Sequence, residues 1–386
     1  MARIRSKIVR QNGIVFFKRS RYSNTMKSIQ DIELKGKRVL IRCALNVPLD
    51  EKGNIADDFR LKESLATLTY AAEQGAKCVL LGHLGRPDPL FEFGNHPAVP
   101  PLWSLRKVAE HLSVLLGRQI LFFEQPIGRE VRDQISLLKE GEIAMLENMR
   151  FYKGEEANDE NFAKELANLG DIYVNDAFDV NHRAHASVSG VVKFVPVAVA
   201  GIQLKKEVDA LNRILENPKR KMVVIVGGSK IETKAGFLGA VCKLADTVLM
   251  GNLVSKEVEE KPFLVPAEYR DRLVAAIDGY PGESQSFDIG PRTRELFKSH
   301  IQGARTIFWS GPLGKVEEEA YRQGSLEIAN AIGESGAFSV AGGGDLAGFL
   351  ERAGLKNKFS HISIGGSALL AYIAGEKLPG IEALGN

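Results

Sequence analysis

The chain has 386 residues, of which 44% are hydrophobic and 26% charged, and its formal net charge is +3 at pH 7. This length exceeds what a single hydrophobic core usually serves, so it predicts two domains. No apolar run reaches the roughly 18 residues that a membrane-spanning helix needs, which argues against a membrane protein.

The positive charge is concentrated in residues 1–25, which contain seven lysines or arginines and no acidic residue. Without this extension the rest of the chain has a net charge of −4 (+3 minus 7). A body of that charge is not expected to bind nucleic acid through a general basic surface. The apolar stretch GIVFF is too short for the core of a signal peptide. We expect residues 1–25 to be a disordered arm or an over-long start, with a transit-like extension as the alternative.

Three cysteines, Cys43, Cys78 and Cys242, lie in apolar surroundings and show no spacing that is typical of a metal site. Thiols in such surroundings behave as small core residues. Because proteins of oxidising compartments tend to use their cysteines in disulfides, we expect a protein of the reducing cytoplasm.

Apolar runs that alternate with helix-period segments predict strands and helices in turn along the whole chain. The predicted strands of the first half are RVLIRCALNV, AKCVLLGHLG, QILFFE, IAMLENMRF and DIYVNDAF. Those of the second half are KMVVIVGG, DTVLMG, TIFWSGPLG, AFSVAGGGD and FSHISIGGS. Segments such as SLRKVAEHLSVLLG and ENFAKELANLG lie between them as helices. The alternation is typical of α/β proteins, in which helices cover both faces of a parallel sheet.

Residues 201–220 are the best candidate for a connection between two such lobes. Their sequence, GIQLKKEVDALNRILENPKR, has the period of an amphipathic helix and ends at Asn217-Pro218, which is a strong helix stop. A helix of this length is expected to act as a rigid lever between the lobes.

Ligands of parallel sheets bind beyond the carboxyl ends of the strands, so the residues after each predicted strand are the candidates for a site. In the first half these candidates are basic or imidazole side chains: Arg60, His83, Arg86, Arg150, His182, Arg183 and His185. Any one of them alone is more often a surface arginine or a hydrogen-bonded histidine. Their recurrence predicts a basic pocket for a small ligand with several negative charges, because guanidinium groups pair bidentately with carboxylate and phosphate.

The second half supplies glycines and lysines instead. The segments GGSK, SGPLG, AGGGD and SIGGSA each place small residues where a helix is expected to begin, and backbone N–H groups there bind anions. Each segment alone is often only a turn. Together, with Lys230 and Lys234 on one helical face, they predict a site for a nucleotide polyphosphate. The segments match neither a Walker loop nor a dinucleotide fingerprint.

Asp345 directly follows three glycines, and it is a candidate ligand of Mg²⁺ or, alternatively, the N-cap of a helix. One lobe for a small anion and one for a nucleotide indicate a kinase. Such an enzyme needs positive charge and alignment at the transferring phosphoryl group rather than a covalent nucleophile.

From about Met26 to the C-terminus, these motifs and their order resemble the phosphoglycerate kinase family. The segments that carry the resemblance are LNVP, DDFRL, GHLGRP, LENMRFY, YVNDAF with HRAHAS, AGIQLKKEVDAL, ENPKR, VGGSK, DIGP, SGPLG, GGGD, FSHIS and LPGIEAL. The resemblance implies two Rossmann-like three-layer αβα lobes that are joined by a helix and close like a hinge. It also implies Mg²⁺-dependent phosphoryl transfer between 1,3-bisphosphoglycerate and ADP, or in reverse between ATP and 3-phosphoglycerate, in glycolysis or gluconeogenesis.

The resemblance also assigns roles to individual residues. Those implied to hold phosphoglycerate are Asn46, Arg60, His83, Arg86, Arg150 and Arg183. Those implied to bind the nucleotide are Gly227, Gly228, Lys230, Lys234, Ser310, Glu317, Gly342, Gly343, Gly344 and Asp345. Those implied to take part in catalysis are Arg60, Lys230, Gly343 and Gly366. Asp345 is implied to hold the metal, Glu317 to contact the ribose, and Lys230 to stabilise the transferring phosphoryl group.

The implied organisation is a phosphoglycerate-binding lobe at 26–200, a linking helix at 201–217 and a nucleotide-binding lobe at 218–370. Residues 371–386 are expected to fold back on the first lobe. The implied partners are small-molecule substrates, ATP or ADP and Mg²⁺, with no nucleic acid and no membrane. We expect a cytoplasmic monomer.

Several positions depart from the family pattern. Ala44 stands where the family has an aspartate that accepts a hydrogen bond from a substrate hydroxyl, and Asp179-Val180 replaces Gly-Thr beside the anion pocket. Leu346 replaces a threonine whose hydroxyl is expected to meet a phosphate or a metal-bound water. Other departures in the second lobe are residues 251–253 (GNL), Ser310, Ile364 and Ser367.

These departures leave two alternatives open beside the kinase. One is a protein of the same fold that binds ligands or regulates without useful turnover. The other is a kinase of the same fold that acts on a different small carboxylate, for which Ala44 and Asp179 are the support.

Overall fold

The computed structural model describes residues 26–89, 101–228, 235–282 and 286–385. The expectation for residues 1–25 therefore lies outside the described residues. Within the described ranges, none of the helices is long and apolar enough to cross a lipid bilayer.

The first lobe is built on a sheet of six parallel strands. They are β1 (Arg38–Arg42), β2 (Lys77–Leu81), β3 (Ile120–Phe123), β4 (Ile143–Leu146), β5 (Ile172–Asn175) and β6 (Val197–Ala200). Their order in the sheet is β3-β4-β2-β1-β5-β6. The helices of this lobe are α1 (Phe59–Glu73), α2 (Arg106–Leu116), α3 (Arg129–Ser136), α4 (Lys153–Glu156) and α5 (Glu160–Ala167).

Both faces of this sheet are buried, which explains why its strands read as nearly continuous apolar runs. Successive side chains of a strand point to opposite faces. Accordingly, Val39 and Ile41 of β1 pack into one apolar cluster, whereas Leu40 packs into the cluster on the other side together with Tyr173. The helices cover the two clusters, so the lobe has three layers.

The second lobe repeats the plan with a second parallel sheet. Its strands are β7 (Met222–Val226), β8 (Thr247–Met250), β9 (Leu273–Ala275), β12 (Thr306–Ser310), β13 (Phe338–Gly342) and β14 (His361–Ser363), with a separate antiparallel pair of β10 (Gly279–Pro281) and β11 (Ser286–Ile289). The sheet order is β14-β13-β12-β7-β8-β9. The helices are α7 (Ala235–Leu244), α8 (Asn252–Glu260), α9 (Pro291–Ile301), α10 (Gln323–Glu334), α11 (Gly344–Arg352), α12 (Ser367–Ile373) and α13 (Pro379–Glu382). The prediction of two parallel α/β lobes is confirmed.

A single helix, α6 (Ile202–Glu216), runs between the two sheets and is anchored to both. At its first turn, Oδ1 of Asp176 accepts hydrogen bonds from the backbone N–H groups of Gln203 and Leu204, at 2.9 and 3.1 Å. Further along, the fully buried Glu207 accepts from the N–H of Ile364 at 2.8 Å and from Nε2 of His361 at 2.9 Å. The first anchor belongs to the first lobe and the second to the other lobe.

The two lobes also touch directly, through α1 and the region of α11. Asp57 forms an ion pair with Arg352 at 3.0 Å, and Glu63 forms one with Lys356. Phe59, at the start of α1, is only 3% exposed and belongs to an apolar cluster that consists mostly of second-lobe residues. The lobes therefore share a continuous apolar core at this contact.

The C-terminal helix α13 contacts the first lobe. The N–H of Gly380 donates to the carbonyl of Asn181 at 3.0 Å, and Nδ2 of Asn175 donates to the carbonyl of Gly380 at 3.3 Å. A Cβ at position 380 would lie 2.1 Å from Oδ1 of Asn181, so this close approach requires glycine.

Candidate active site

The six residues predicted to hold a small anion all follow strands of the first sheet. Asn46 follows β1, Arg60 lies in the first turn of α1, and His83 and Arg86 follow β2. Arg150 follows β4, and Arg183 follows β5. Because β4, β2, β1 and β5 are neighbours and parallel, their carboxyl ends share one edge of the sheet. These side chains are therefore carried by neighbouring strand ends of one sheet.

Gly85 holds two of these residues in place. Its N–H donates to Oδ1 of Asn46 at 2.8 Å, and its carbonyl accepts from Nη1 of Arg150 at 2.6 Å. Gly85 has a φ of 63°, and a Cβ there would lie 2.1 Å from the ring of Trp103. Both the left-handed backbone and the close ring require glycine. This residue thus fixes Asn46 and Arg150 on either side of itself.

His83 is held as a neutral ring by Arg42, the last residue of β1. Nη2 of Arg42 lies 3.1 Å from Nδ1 of His83, and because a guanidinium only donates, Nδ1 must accept. Burial, and then the positive charge of Arg42, hold the pKa of His83 well below its usual range. The proton of the neutral ring therefore lies on Nε2, which is left as a hydrogen-bond donor.

Arg42 belongs to a buried polar network beneath the pocket. Its Nε donates to Oγ of Ser187 at 2.9 Å, and its Nη1 donates to the carbonyl of Cys43 at 2.8 Å. Oγ of Ser187 in turn donates to Glu155 at 2.6 Å, and the N–H of Ser187 donates to the other oxygen of that carboxylate at 2.8 Å. Burial raises the pKa of Glu155, and the charge of Arg42 opposes that rise. The network fixes the guanidinium of Arg42, and through it the ring of His83.

Sequence reasoning missed this network. An arginine inside the apolar run RVLIRC was a usable signal, because a buried arginine needs a partner. His185, which was predicted for the pocket, lies beside the network. It is 7% exposed, and its Nδ1 lies 3.7 Å from Glu155. Burial lowers the pKa of His185 to about 4, with Arg150 and Arg42 adding to the effect.

Arg60 is oriented by two contacts that reach it from different strand ends. Its Nη1 donates to the backbone carbonyl of Asn46 at 2.7 Å, and the same atom lies 3.4 Å from Oδ2 of Asp179. The side chain of Arg60 is 22% exposed, whereas that of Asp179 is 5% exposed. Arg60 therefore retains access to solvent while its position is fixed.

Arg86 and Arg183 are the exposed members of the pocket. Arg86 lies directly after Gly85, and its charge contributes to lowering the pKa of Arg150. Nε of Arg183 donates to Nε2 of His182 at 3.1 Å. The ring of His182 therefore helps to position Arg183. Burial, and then the charge of Arg183, lower the pKa of His182.

The glycine-rich segments of the second lobe likewise lie at the carboxyl ends of parallel strands. Gly227 and Gly228 follow β7, Ser310 ends β12, Gly342 ends β13, and Gly366 lies three residues after β14. Ser310 is paired in register with both Val226 and Gly342. These segments therefore belong to one edge of the second sheet.

Close backbone contacts explain the glycines at this edge. The N–H of Gly228 donates to the carbonyl of Pro312 at 2.8 Å, and a Cβ at Gly227 would lie 2.2 Å from that same carbonyl oxygen. Gly343 precedes α11 with a φ of 108°, and Gly366 precedes α12 with a φ of 51°. Among the described residues, no atom lies within 4 Å of a Cβ placed at Gly344 or Gly366.

Asp345 and Glu317 are exposed. Asp345 lies in the first turn of α11, where a carboxylate is stabilised by the helix dipole. Glu317 lies in the loop after β12. Among the described residues, three or more His, Cys, Asp or Glu side chains do not gather into a metal-binding group. Lys230 and Lys234 lie outside the described residues.

Two of the departures in the second lobe, Leu346 and Ile364, lie in its hydrophobic core. Leu346 is fully buried in the apolar cluster of that lobe, and Ile364 is 2% exposed in the same cluster. The leucine at 346 packs into the core, so its side chain does not take the place of the threonine hydroxyl of the family pattern. Ser367, in contrast, is exposed at the start of α12.

Comparison with known proteins gives one consistent result. The sequence model described as "Phosphoglycerate kinase" matches residues 29–258 and 254–376. The phosphoglycerate kinases of Dictyoglomus turgidum and Chlorobium limicola are each 39% identical to this chain over 93% of its length, and the matches cover 98% and 99% of those proteins. The phosphoglycerate kinase structures from Coxiella burnetii and Pyrococcus horikoshii superpose with TM-scores of 0.76 and 0.81, at 32% and 30% identity. Each covers 93% of this chain and 98% of the solved chain.

Proposed function

The chain belongs to the phosphoglycerate kinase family, and we propose that its basic pocket and its glycine-rich edge together carry out the reaction of that family. That reaction is reversible phosphoryl transfer between 1,3-bisphosphoglycerate with ADP and 3-phosphoglycerate with ATP. The observation that carries the proposal is the array of basic side chains at neighbouring strand ends of the first sheet. Such an array suits a small ligand with a phosphate and a carboxylate.

In this proposal, the first lobe binds phosphoglycerate through Asn46, Arg60, His83, Arg86, Arg150 and Arg183. Gly85 and Arg42 preorganise the pocket, because they fix Arg150 and His83 before a ligand arrives. The neutral His83 donates from Nε2. The accepting carboxylate is ionised near pH 7, so the transfer requires no general base.

The second lobe would bind ATP or ADP. The backbone N–H groups at the starts of α11 and α12 would receive the phosphates, and glycines 227, 228 and 342–344 would allow the close approach. Ser310 lies at the same edge, Glu317 would contact the ribose, and Lys230 and Lys234 would pair with the transferring phosphoryl group and the nucleotide phosphates. Positive charge at the transferring group lowers the barrier of such a reaction.

The fold family also implies Mg²⁺, and the chemistry of the available donors fits it. Mg²⁺ is usually held by one or two carboxylates together with substrate phosphates, so a dense protein cluster is not needed. Asp345 is an exposed carboxylate in the first turn of α11, directly after Gly344, and it would be the protein ligand. When bound, the ion would supply charge neutralisation at the phosphates.

The alternatives of a non-catalytic protein or of a different acceptor gain no support, because the relatives and structures named above are phosphoglycerate kinases. We further propose a cytoplasmic monomer. The free, buried thiols of Cys43, Cys78 and Cys242 suit a reducing compartment. Light scattering coupled to size exclusion tests the oligomeric state.

A coupled assay with 3-phosphoglycerate, ATP and Mg²⁺ tests the function. We expect turnover by the wild type and a loss of about 10²- to 10³-fold in kcat for Lys230→Ala, because a charge at the transferring group is removed. The matched control is Lys243→Ala, an exposed lysine in the last turn of α7, which should keep full activity. Unchanged kcat in Lys230→Ala would refute the proposed role of this lysine.

A further inference from the structure

Asp179 is a buried carboxylate in the wall of the basic pocket with one oxygen unused. It lies in the short 3₁₀ turn Phe178–Val180 that follows β5, and the residue is 8% exposed. Oδ2 lies 3.4 Å from Nη1 of Arg60. Oδ1 is buried and accepts no hydrogen bond from any residue that the structure describes. A buried polar atom of this kind needs an explanation, because it has lost its water without gaining a donor.

The contact with Arg60 does not satisfy this carboxylate. Charge-assisted N–H···O bonds are typically about 2.7–2.9 Å long, so 3.4 Å is a loose ion pair. The short bond of Nη1 goes instead to the backbone carbonyl of Asn46, at 2.7 Å. His182, which lies near Asp179, is neutral near pH 7, because burial lowers the pKa of its imidazole. Asp179 is therefore a negative group at the edge of a positive pocket, with acceptor capacity left over.

The position of this carboxylate determines which group of a ligand can form a hydrogen bond with it. In the function proposed above, Arg60 engages an anionic end of the substrate. An atom next to that end would lie within reach of the carboxylate that contacts Arg60. A second negative group there would be repelled, whereas a hydroxyl group would donate a hydrogen bond to this loosely held carboxylate.

We propose that Asp179 is a specificity-determining residue that accepts a hydrogen bond from the hydroxyl group next to the carboxylate of the substrate. This inference rests on the proposed function and adds a residue to its site. It also gives a physical reason for a buried acid in a pocket built for anions. The carboxylate selects a hydroxy acid over the corresponding acid without the hydroxyl group.

The test compares 3-phosphoglycerate with 3-phosphonooxypropanoate, which differs only by lacking the hydroxyl group. We expect the wild type to prefer the hydroxylated acid by about 10- to 150-fold in kcat/KM, the range for a hydrogen bond to a charged group. In Asp179→Ala the preference should fall to within about 3-fold, because only the hydroxylated substrate loses an interaction. Asp179→Asn, which keeps the volume of the side chain, should also lower the preference and provides a second folded variant.

Asp171→Ala is the matched control. It also removes a carboxylate paired with an arginine, Arg38, but at the start of β1, the opposite end of the strand from Asn46. It should leave the preference unchanged. The same two acids are also titrated by calorimetry, so that the ratio of dissociation constants is obtained even without turnover.

Two results would overturn the inference. A preference that survives in both Asp179 variants would show that another group reads the hydroxyl. If the Asp179 variants lowered KM equally for both acids, Asp179 would merely compete with the substrates for Arg60. Failure of the proposed function is distinct, because the wild type itself would then be inactive with 3-phosphoglycerate.

Discussion

Replacing Arg42 with methionine tests whether the buried network beneath the pocket stabilises the first lobe. The change removes the donors to Ser187, to the carbonyl of Cys43 and to His83, and it takes from the fully buried Glu155 the stronger of the two arginine charges that stabilise its carboxylate, those of Arg42 and Arg150. Removal of one partner of a buried ion pair costs about 3–5 kcal/mol. We expect Arg42→Met to lower the free energy of unfolding by that amount.

The double variant Arg42→Met/Glu155→Gln separates the charge from the packing. Glutamine still accepts from Ser187 through its carbonyl oxygen, and it carries no charge that needs a partner. The double variant should therefore recover about 2 kcal/mol of the loss, since much of the single-variant penalty is the unpaired charge. Urea titrations followed by tryptophan fluorescence measure the free energies of unfolding of the single and the double variant, and Trp103 reports on the first lobe.

Arg38→Met is the matched control on the same strand. Arg38 pairs with Asp171 at 2.7 Å, but the two side chains are 35% and 41% exposed. Such a pair contributes at most about 1 kcal/mol. Either of two results would contradict this role of the network. The first is that Arg42→Met lowers the free energy of unfolding no more than Arg38→Met does. The second is that the effects of Arg42→Met and Glu155→Gln on the free energy of unfolding are additive.

Two further changes test other parts of the structure. Leu346→Thr should lower the free energy of unfolding by about 2–4 kcal/mol and leave the KM for ATP unchanged, because the side chain lies in the core; a tighter KM would instead place it at the nucleotide. Burial raises the pKa of Asp176 from 3.8 to about 7. Its ionisation therefore disfavours folding, and stability is lost as the pH rises from about 4 to 7. Between pH 4 and 8, the free energy of unfolding of the wild type should fall by up to about 4 kcal/mol relative to that of Asp176→Asn, as measured by urea titrations. If the two proteins showed parallel dependences of this free energy on pH, the reasoning would be contradicted.

The fold was predictable because burial on both faces imposes nearly continuous apolar runs on the central strands. All ten predicted strands are present, and α6 ends at Glu216, one residue before Asn217-Pro218. The sequence analysis did not identify β6, β9, β10 and β11, which have only three or four residues and are partly exposed. Such segments carry too little periodic signal to distinguish them from loops.

The candidate site was predictable in its residue types and less so in its contacts. Parallel topology alone places basic residues at strand ends on a common edge. The partners of Arg42 and Arg60 could not be read from the sequence, because Ser187 and Asp179 are 145 and 119 residues away. At position 346 the sequence alone does not show whether a side chain in the first helical turn points to the ligand or to the core, and in the structure the leucine points to the core.

The ion pairs between the lobes have a consequence for the distance between the reacting groups. Arg60 and Glu63 lie in α1, and Asp345 and Arg352 lie in α11. Arg60 and Asp345 are proposed to contact the two substrates, and the ion pairs Asp57–Arg352 and Glu63–Lys356 connect the same two regions of the lobes. Both bridges include a basic side chain that is more than a third exposed, which makes them sensitive to dissolved electrolyte. Salt concentration alone should thus widen or narrow the gap that a phosphoryl group has to cross.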